Sequence, residues 1–117
     1  MKRKKSVVSK TDQVRLEKVK ALIEAHPDIK HTLDSLAKEA GISRAKLIYI
    51  FRRHYNISIH QYLLRVRMKF AYTLLTTTEL PIKEIAAKAG YSNRQNFTTA
   101  FRNYFRKTAA QVQKRKQ

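Results

Sequence analysis

The chain has 117 residues, with 26 Lys and Arg against 8 Asp and Glu, a formal net charge of +18 and no cysteine. That length suits one compact domain or two very small ones; the missing cysteines exclude a disulfide framework and a thiolate metal site, and no apolar run approaches the ~18 residues of a membrane span. Beyond Ala40 the only acids are Glu79 and Glu84, a one-sided surface that attracts polyanions, nucleic acid first and an anionic membrane second.

The opening MKRKKSVVSK is basic but lacks the apolar core of a secretory signal. Residues 1–10 are expected to form a flexible arm whose Lys2, Arg3, Lys4 and Lys5 are available to phosphates. Only two Gly and two Pro argue for helices rather than many tight strand turns. Thr11 offers an N-cap, and Leu16, Val19, Leu22 and Ile23 recur at helical spacing until Pro27. Thr32 caps LDSLAKEA, which stops at Gly41. Ser43 caps RAKLIYIFRRHY, and Ser58 caps a long helix from about Ile59 to Thr76. Pro81 opens IKEIAAKA, which ends at Gly90. Ser92 and Gln95 have capping-box spacing before the next helix, and Thr108 caps a last short one. The expected fold is all-α, with seven helices and no strand.

Two of these stretches repeat. LDSLAKEAGISRAKLIYIFRRHYNIS and IKEIAAKAGYSNRQNFTTAFRNYFRKT align with Leu33 on Ile82, Leu36 on Ile85, Ala37 on Ala86, Gly41 on Gly90 and Ser43 on Ser92. After one inserted residue, Leu47 falls on Phe97, Phe51 on Phe101, Arg52 on Arg102 and Tyr55 on Phe105. Each copy is a short helix, a tight turn and a second helix. The alanines let the helices cross closely, and the glycines stand where the backbone needs positive φ. This is the helix-turn-helix pattern, whose second helix lies in the DNA major groove.

On LAKEAGISRAKLIYIFRRHYNISIHQYLLRVRM, AYTLL at 71–75 and IKEIAAKAGYSNRQNFTTAFRNYF, residues 14 to 113 resemble the DNA-binding domain of the AraC/XylS family of bacterial transcription regulators. The resemblance implies two helix-turn-helix units bridged by one long helix. The first unit then covers about 11–57, the bridging helix about 58–77 and the second unit about 81–117. Arg67 stands where family members carry a structural arginine. The chain departs from the family at Arg106, where Gly is usual, at Ala109, where Pro is usual, at Val112 and Gln113, where an aromatic followed by Arg is usual, and at Asn56, where Gly is common. Arg in a left-handed position costs about 1 kcal/mol; Asn tolerates it better.

On a helical wheel, Leu47, Ile50 and Phe51, with His54 beside them, form the core face of the first recognition helix; Ala45, Ile48, Tyr49, Arg52 and Arg53 lie opposite. In the second, Phe97, Ala100, Phe101 and Tyr104 are read as core, with Gln95, Thr98, Thr99 and Arg102 opposite and Arg94 and Asn96 flanking. Arg can pair bidentately with guanine and Gln with adenine, and the Thr methyl can meet thymine. Base-reading positions are therefore Ala45, Ile48, Tyr49, Arg94, Gln95, Thr98 and Thr99. Ala45, Ile48 and Tyr49 offer little hydrogen bonding: they meet thymine methyls, are covered by another domain or partner, or are ordinary apolar surface residues. Backbone contacts are expected from Arg44, Arg52, Arg53, Asn93, Arg102 and Asn103. A bridging helix of about 18 residues spans about 27 Å, which suits recognition helices about one DNA turn, ~34 Å, apart.

His26, His31, His54 and His60 have no carboxylates at ligand spacing, and no catalytic dyad or P-loop is present. No enzyme activity, metal or cofactor is expected. The expected partners are double-stranded DNA, bound as a monomer, and RNA polymerase, with no membrane, in the bacterial cytoplasm at the nucleoid. No effector domain is legible in this chain: either it stands alone or it is the C-terminal piece of a larger regulator. The alternative reading is a non-specific nucleic-acid binder or a basic helical adaptor.

Overall fold

A computed structural model describes residues 8–29 and 31–115. Within them lie seven helices and no strand: α1 (Lys10–Ala25), α2 (Leu33–Ala40), α3 (Arg44–Tyr55), α4 (Ile59–Thr77), α5 (Ile82–Lys88), α6 (Arg94–Phe105) and α7 (Ala109–Arg115). The proposed arm residues Lys2, Arg3, Lys4 and Lys5 lie outside the described residues. α1 begins at Lys10, inside the span expected as arm. Among the described residues no helix is long and apolar enough to cross a membrane.

The described chain divides into two units. The first holds α1, α2, α3 and the start of α4 up to Leu63; the second holds the rest of α4 from Leu64, α5, α6 and α7, with the short turn after α1. In the first, Leu16, Val19 and Ile23 share one stripe of α1 and are at most 1% exposed. α1 packs on α2 and α3, whose Leu36, Leu47 and Phe51 are equally buried. In the second, Met68, Ala71 and Leu75 of α4 join Ile85, Ala86, Phe97 and Phe101 in one core, closed by Ala109 and Val112 of α7. Burying each large side chain stabilises a unit by about 1.5–3 kcal/mol.

The stripes Leu16, Val19, Ile23 and Met68, Ala71, Leu75 have the same i, i+3, i+7 spacing. The last part of α4 thus does for α5 and α6 what α1 does for α2 and α3. The repeat also runs further than its sequence match. Ser58 accepts from the Gln61 N–H while Gln61 Oε1 accepts from the Ser58 N–H; Thr108 and Gln111 make the same reciprocal pair at the start of α7.

Several local readings change. α1 is capped by Ser9, whose hydroxyl accepts from the Asp12 N–H at 3.1 Å, and not by Thr11. α6 is capped by Asn93, whose side chain accepts from the Asn96 N–H at 2.9 Å, and not by Ser92. Ser43 therefore corresponds to Asn93, which moves the inserted residue into the turn ahead of the cap. Tyr104, read as core, is 39% exposed, and His54 is also exposed. Met68, fully buried, escaped the sequence reading.

Candidate nucleic-acid interface

Each recognition helix is held by the same local devices. α2 ends at Gly41 (φ 73°), and the Ile42 N–H donates to Ala37 at 3.1 Å. α5 is followed by Gly90 (φ 92°), and the Tyr91 N–H donates to Ala86 at 3.0 Å. This left-handed turn aims the chain into the second helix. α3 and α6 then end alike, on Asn56 (φ 65°) and Arg106 (φ 64°). Both positions where the family commonly has glycine are left-handed here, so Arg106 carries the steric penalty of its Cβ.

In the second unit the turn has an extra brace. The Tyr91 ring lies 5.6 Å from Phe97 and carries the Arg67 guanidinium 5.9 Å from its centroid. Burial pushes the Tyr91 hydroxyl pKa up, while the hydrogen bond and charge of Arg67 pull the other way. The structural role implied for Arg67 thus has a partner, on the turn that sets α6.

On α6, Phe97 and Phe101 are fully buried. Arg94, Gln95, Asn96, Thr99, Arg102 and Asn103 are exposed, and Thr98 is half-buried. The Thr98 hydroxyl donates to the Gln95 carbonyl at 3.0 Å, so that side chain has its methyl and an acceptor oxygen left for a partner. Ser92, Asn93, Arg94, Gln95, Thr98, Thr99, Arg102 and Thr108 line one open depression of about 900 Å³. The structure thus brings together Arg94, Gln95, Thr98, Thr99, Asn93 and Arg102; Asn103 is exposed but does not line it. Two arginines and several hydrogen-bonding side chains meet there without a carboxylate, a lining suited to base edges flanked by phosphates. Thr108 was missed: it is 14 residues beyond Arg94, and its only signal was its cap position at the start of α7.

On α3, Leu47, Ile50 and Phe51 are buried, while Ala45, Ile48, Tyr49, Arg52 and Arg53 are exposed. Tyr49 is 59% exposed, and the Arg53 guanidinium sits 5.4 Å from its ring centroid, a cation–π contact that steadies both side chains. Arg44, at the start of α3, is 3.8 Å from Asp34. Among the described residues no group of three or more His, Asp or Glu could hold a metal ion.

A helix-turn-helix domain family matches residues 36–115. The chain is similar to the Msm operon regulatory protein of Streptococcus mutans, with 36% identity over 99 residues covering 85% of this chain and 36% of that protein. It is also similar to the regulatory protein SoxS of Escherichia coli, with 34% identity over 95 residues covering 81% of this chain and 89% of that protein. The chain thus spans about a third of the length of the Msm regulator and 26% of the transcriptional regulator GbdR of Pseudomonas aeruginosa. Among solved structures, the C-terminal domain of AraT, a response regulator from Geobacillus stearothermophilus, superposes with a TM-score of 0.82 at 30% identity, over 93% of this chain and 88% of that one. The DNA-binding domain of AdpA, solved with a target DNA, shares the fold with a TM-score of 0.80 at 24% identity, over 85% of this chain and 89% of that one.

Proposed function

Because the chain belongs to the AraC/XylS-type helix-turn-helix family, we propose that it is a sequence-specific double-stranded-DNA-binding transcription regulator whose α3 and α6 enter successive major grooves. The observation that carries this reading is the carboxylate-free face of α6. A merely solvated helix face mixes acids with bases, whereas this one offers Arg94, Gln95, Thr98 and Thr99. Arg94 and Gln95 read purine edges, and Thr98 and Thr99 meet thymine methyls. Ala45, Ile48 and Tyr49 make the apolar counterpart on α3. Arg44, Arg52, Arg53, Arg102, Asn103 and the amide nitrogen of Asn93 contact phosphates and fix the register.

The duplicated unit supports a monomer that carries both reading heads, with RNA polymerase as its protein partner at the promoter, in the bacterial nucleoid. Catalysis has no place in this reading. The test is selection of bound fragments from a random duplex pool, followed by footprinting. The expected result is an enriched site with two protected major-groove segments about ten base pairs apart. No enrichment over the starting pool, or equal retention of RNA, would replace specific regulation with non-specific binding. One protected segment per monomer would refute simultaneous engagement of both helices.

A further inference from the structure

Asp12 is the one buried charged side chain among the described residues, 9% exposed. It stands on the first turn of α1 and faces the first turn of α3. Its carboxylate is 3.0 Å from Arg15 on its own helix and 3.4 Å from the Lys46 ammonium. Burial acts to raise its pKa, but the hydrogen bonds with Arg15 and Lys46, the Lys46 charge and a hydrogen bond with Ser9 outweigh it and hold the carboxyl below its ordinary value. Lys46 lies between the buried residue Ile50 and the exposed residue Arg53 around the α3 wheel, at the edge of the proposed reading face. At the matching positions the second unit carries no acid–base pair. Matching Leu16, Val19 and Ile23 to Met68, Ala71 and Leu75 puts Leu64 at the place of Asp12, and matching the caps Ser43 and Asn93 puts Asn96 at the place of Lys46.

We propose that Asp12 is a positioning residue for DNA binding that competes with the phosphate backbone for Lys46, so that the first recognition helix docks with one cation withheld. The inference rests on the DNA-binding reading of α3. A Lys tied to a desolvated carboxylate has one charge already answered, and a phosphate gains little by approaching it unless the carboxylate lets go. The wider partner at the same end of α3 is Asp34 beside Arg44, but both of those side chains are largely exposed, at 80% and 59%, and such a pair contributes little. Asp12 is the stronger restraint because its side chain is only 13% exposed, against 47% for the Lys46 side chain that it holds. It therefore makes the two reading heads unequal: α3 meets DNA with an internal anion at its side, and α6 has Leu64 where that anion would stand.

The experiment is a double-mutant cycle of Asp12→Asn and Lys46→Gln in the full chain, with Kd for one duplex measured across a salt series. The unaltered chain is first shown to bind the duplex with a steep salt slope; a slope near zero there fails the DNA-binding reading itself. Given binding, Asp12→Asn is expected to tighten it about threefold to tenfold at low salt and to steepen the slope by about 0.9, one more phosphate answered. Lys46→Gln alone is expected to leave affinity and slope nearly unchanged, and in the Asp12→Asn background to erase most of the gain. Unchanged or weaker binding by Asp12→Asn, with a native thermal melt, overturns the proposal. So does Lys46→Gln losing affinity and slope on its own, because Lys46 would then already be spent on a phosphate. That second variant leaves the α1 cap untouched, so it decides the matter even if Asp12→Asn fails to fold.

Discussion

Gln95 and Arg94 are the side chains on which sequence preference is expected to rest. They stand in the first turn of α6, exposed and without a nearby carboxylate. Replacing either with Ala is expected to cost about 1–3 kcal/mol on the best site and to relax preference at one base pair. Arg52→Ala is expected to weaken all sequences alike, since a phosphate contact carries no base information. Tyr49→Ala is expected to cost affinity through a lost apolar contact, mostly at thymine. The check is a matrix of these variants against single-base changes in the site; uniform losses for Gln95 and Arg94, with altered bases for Tyr49, would reverse the assignment. At this scale the repeating apolar residues were legible, because Leu47, Phe51, Phe97 and Phe101 must be buried whatever the turn does. The caps were less so. Ser9 and Thr11, or Ser92 and Asn93, offer the same acceptor chemistry two residues or one residue apart, and only the backbone conformation selects the one that reaches the free N–H.

Helix ends carry the next expectation. α6 stops at Arg106 with φ 64°, the same left-handed geometry that Asn56 adopts after α3. Glycine pays no Cβ penalty there. Arg106→Gly is therefore expected to stabilise the chain by about 1 kcal/mol and to raise the midpoint of thermal unfolding by about 4 °C. A lowered midpoint would mean that the Arg106 side chain contributes more than its backbone strain costs. Elements were the most legible level of this protein: seven helices follow from apolar spacing broken by Gly, Pro and polar caps. α7 is instructive. Its counterpart is the first turn of α4, down to the reciprocal Gln61 and Gln111 bonds, yet the identity between the two stretches is too low for an alignment to extend the repeat that far.

Taken whole, the chain is a polycation, +18 over 117 residues, and its duplex affinity should be strongly salt-dependent. If roughly 6–8 phosphates are neutralised, log affinity is expected to fall with log salt at a slope of about −5 to −7. Titrations at four or more salt concentrations measure it directly, and a slope near −1 would remove the backbone footprint proposed for Arg44, Arg52, Arg53 and Arg102.

The sequence by itself determined the helices, the duplicated helix-turn-helix and a charge that suits a polyanionic partner. Those depend on periodicity, on where glycine must fall and on net charge, all of which are local or additive. Tertiary structure decided which side chains share a surface. Thr108 joins Arg102 and Gln95 in one depression, and Asp12 reaches Lys46 from another helix. Tyr104 turns outward although the wheel placed it with Phe101, because a twelve-residue helix buries only the stripe that its neighbours can cover. Such pairings depend on how helices pack, and packing direction is fixed by the fit of whole faces rather than by any one stretch of chain.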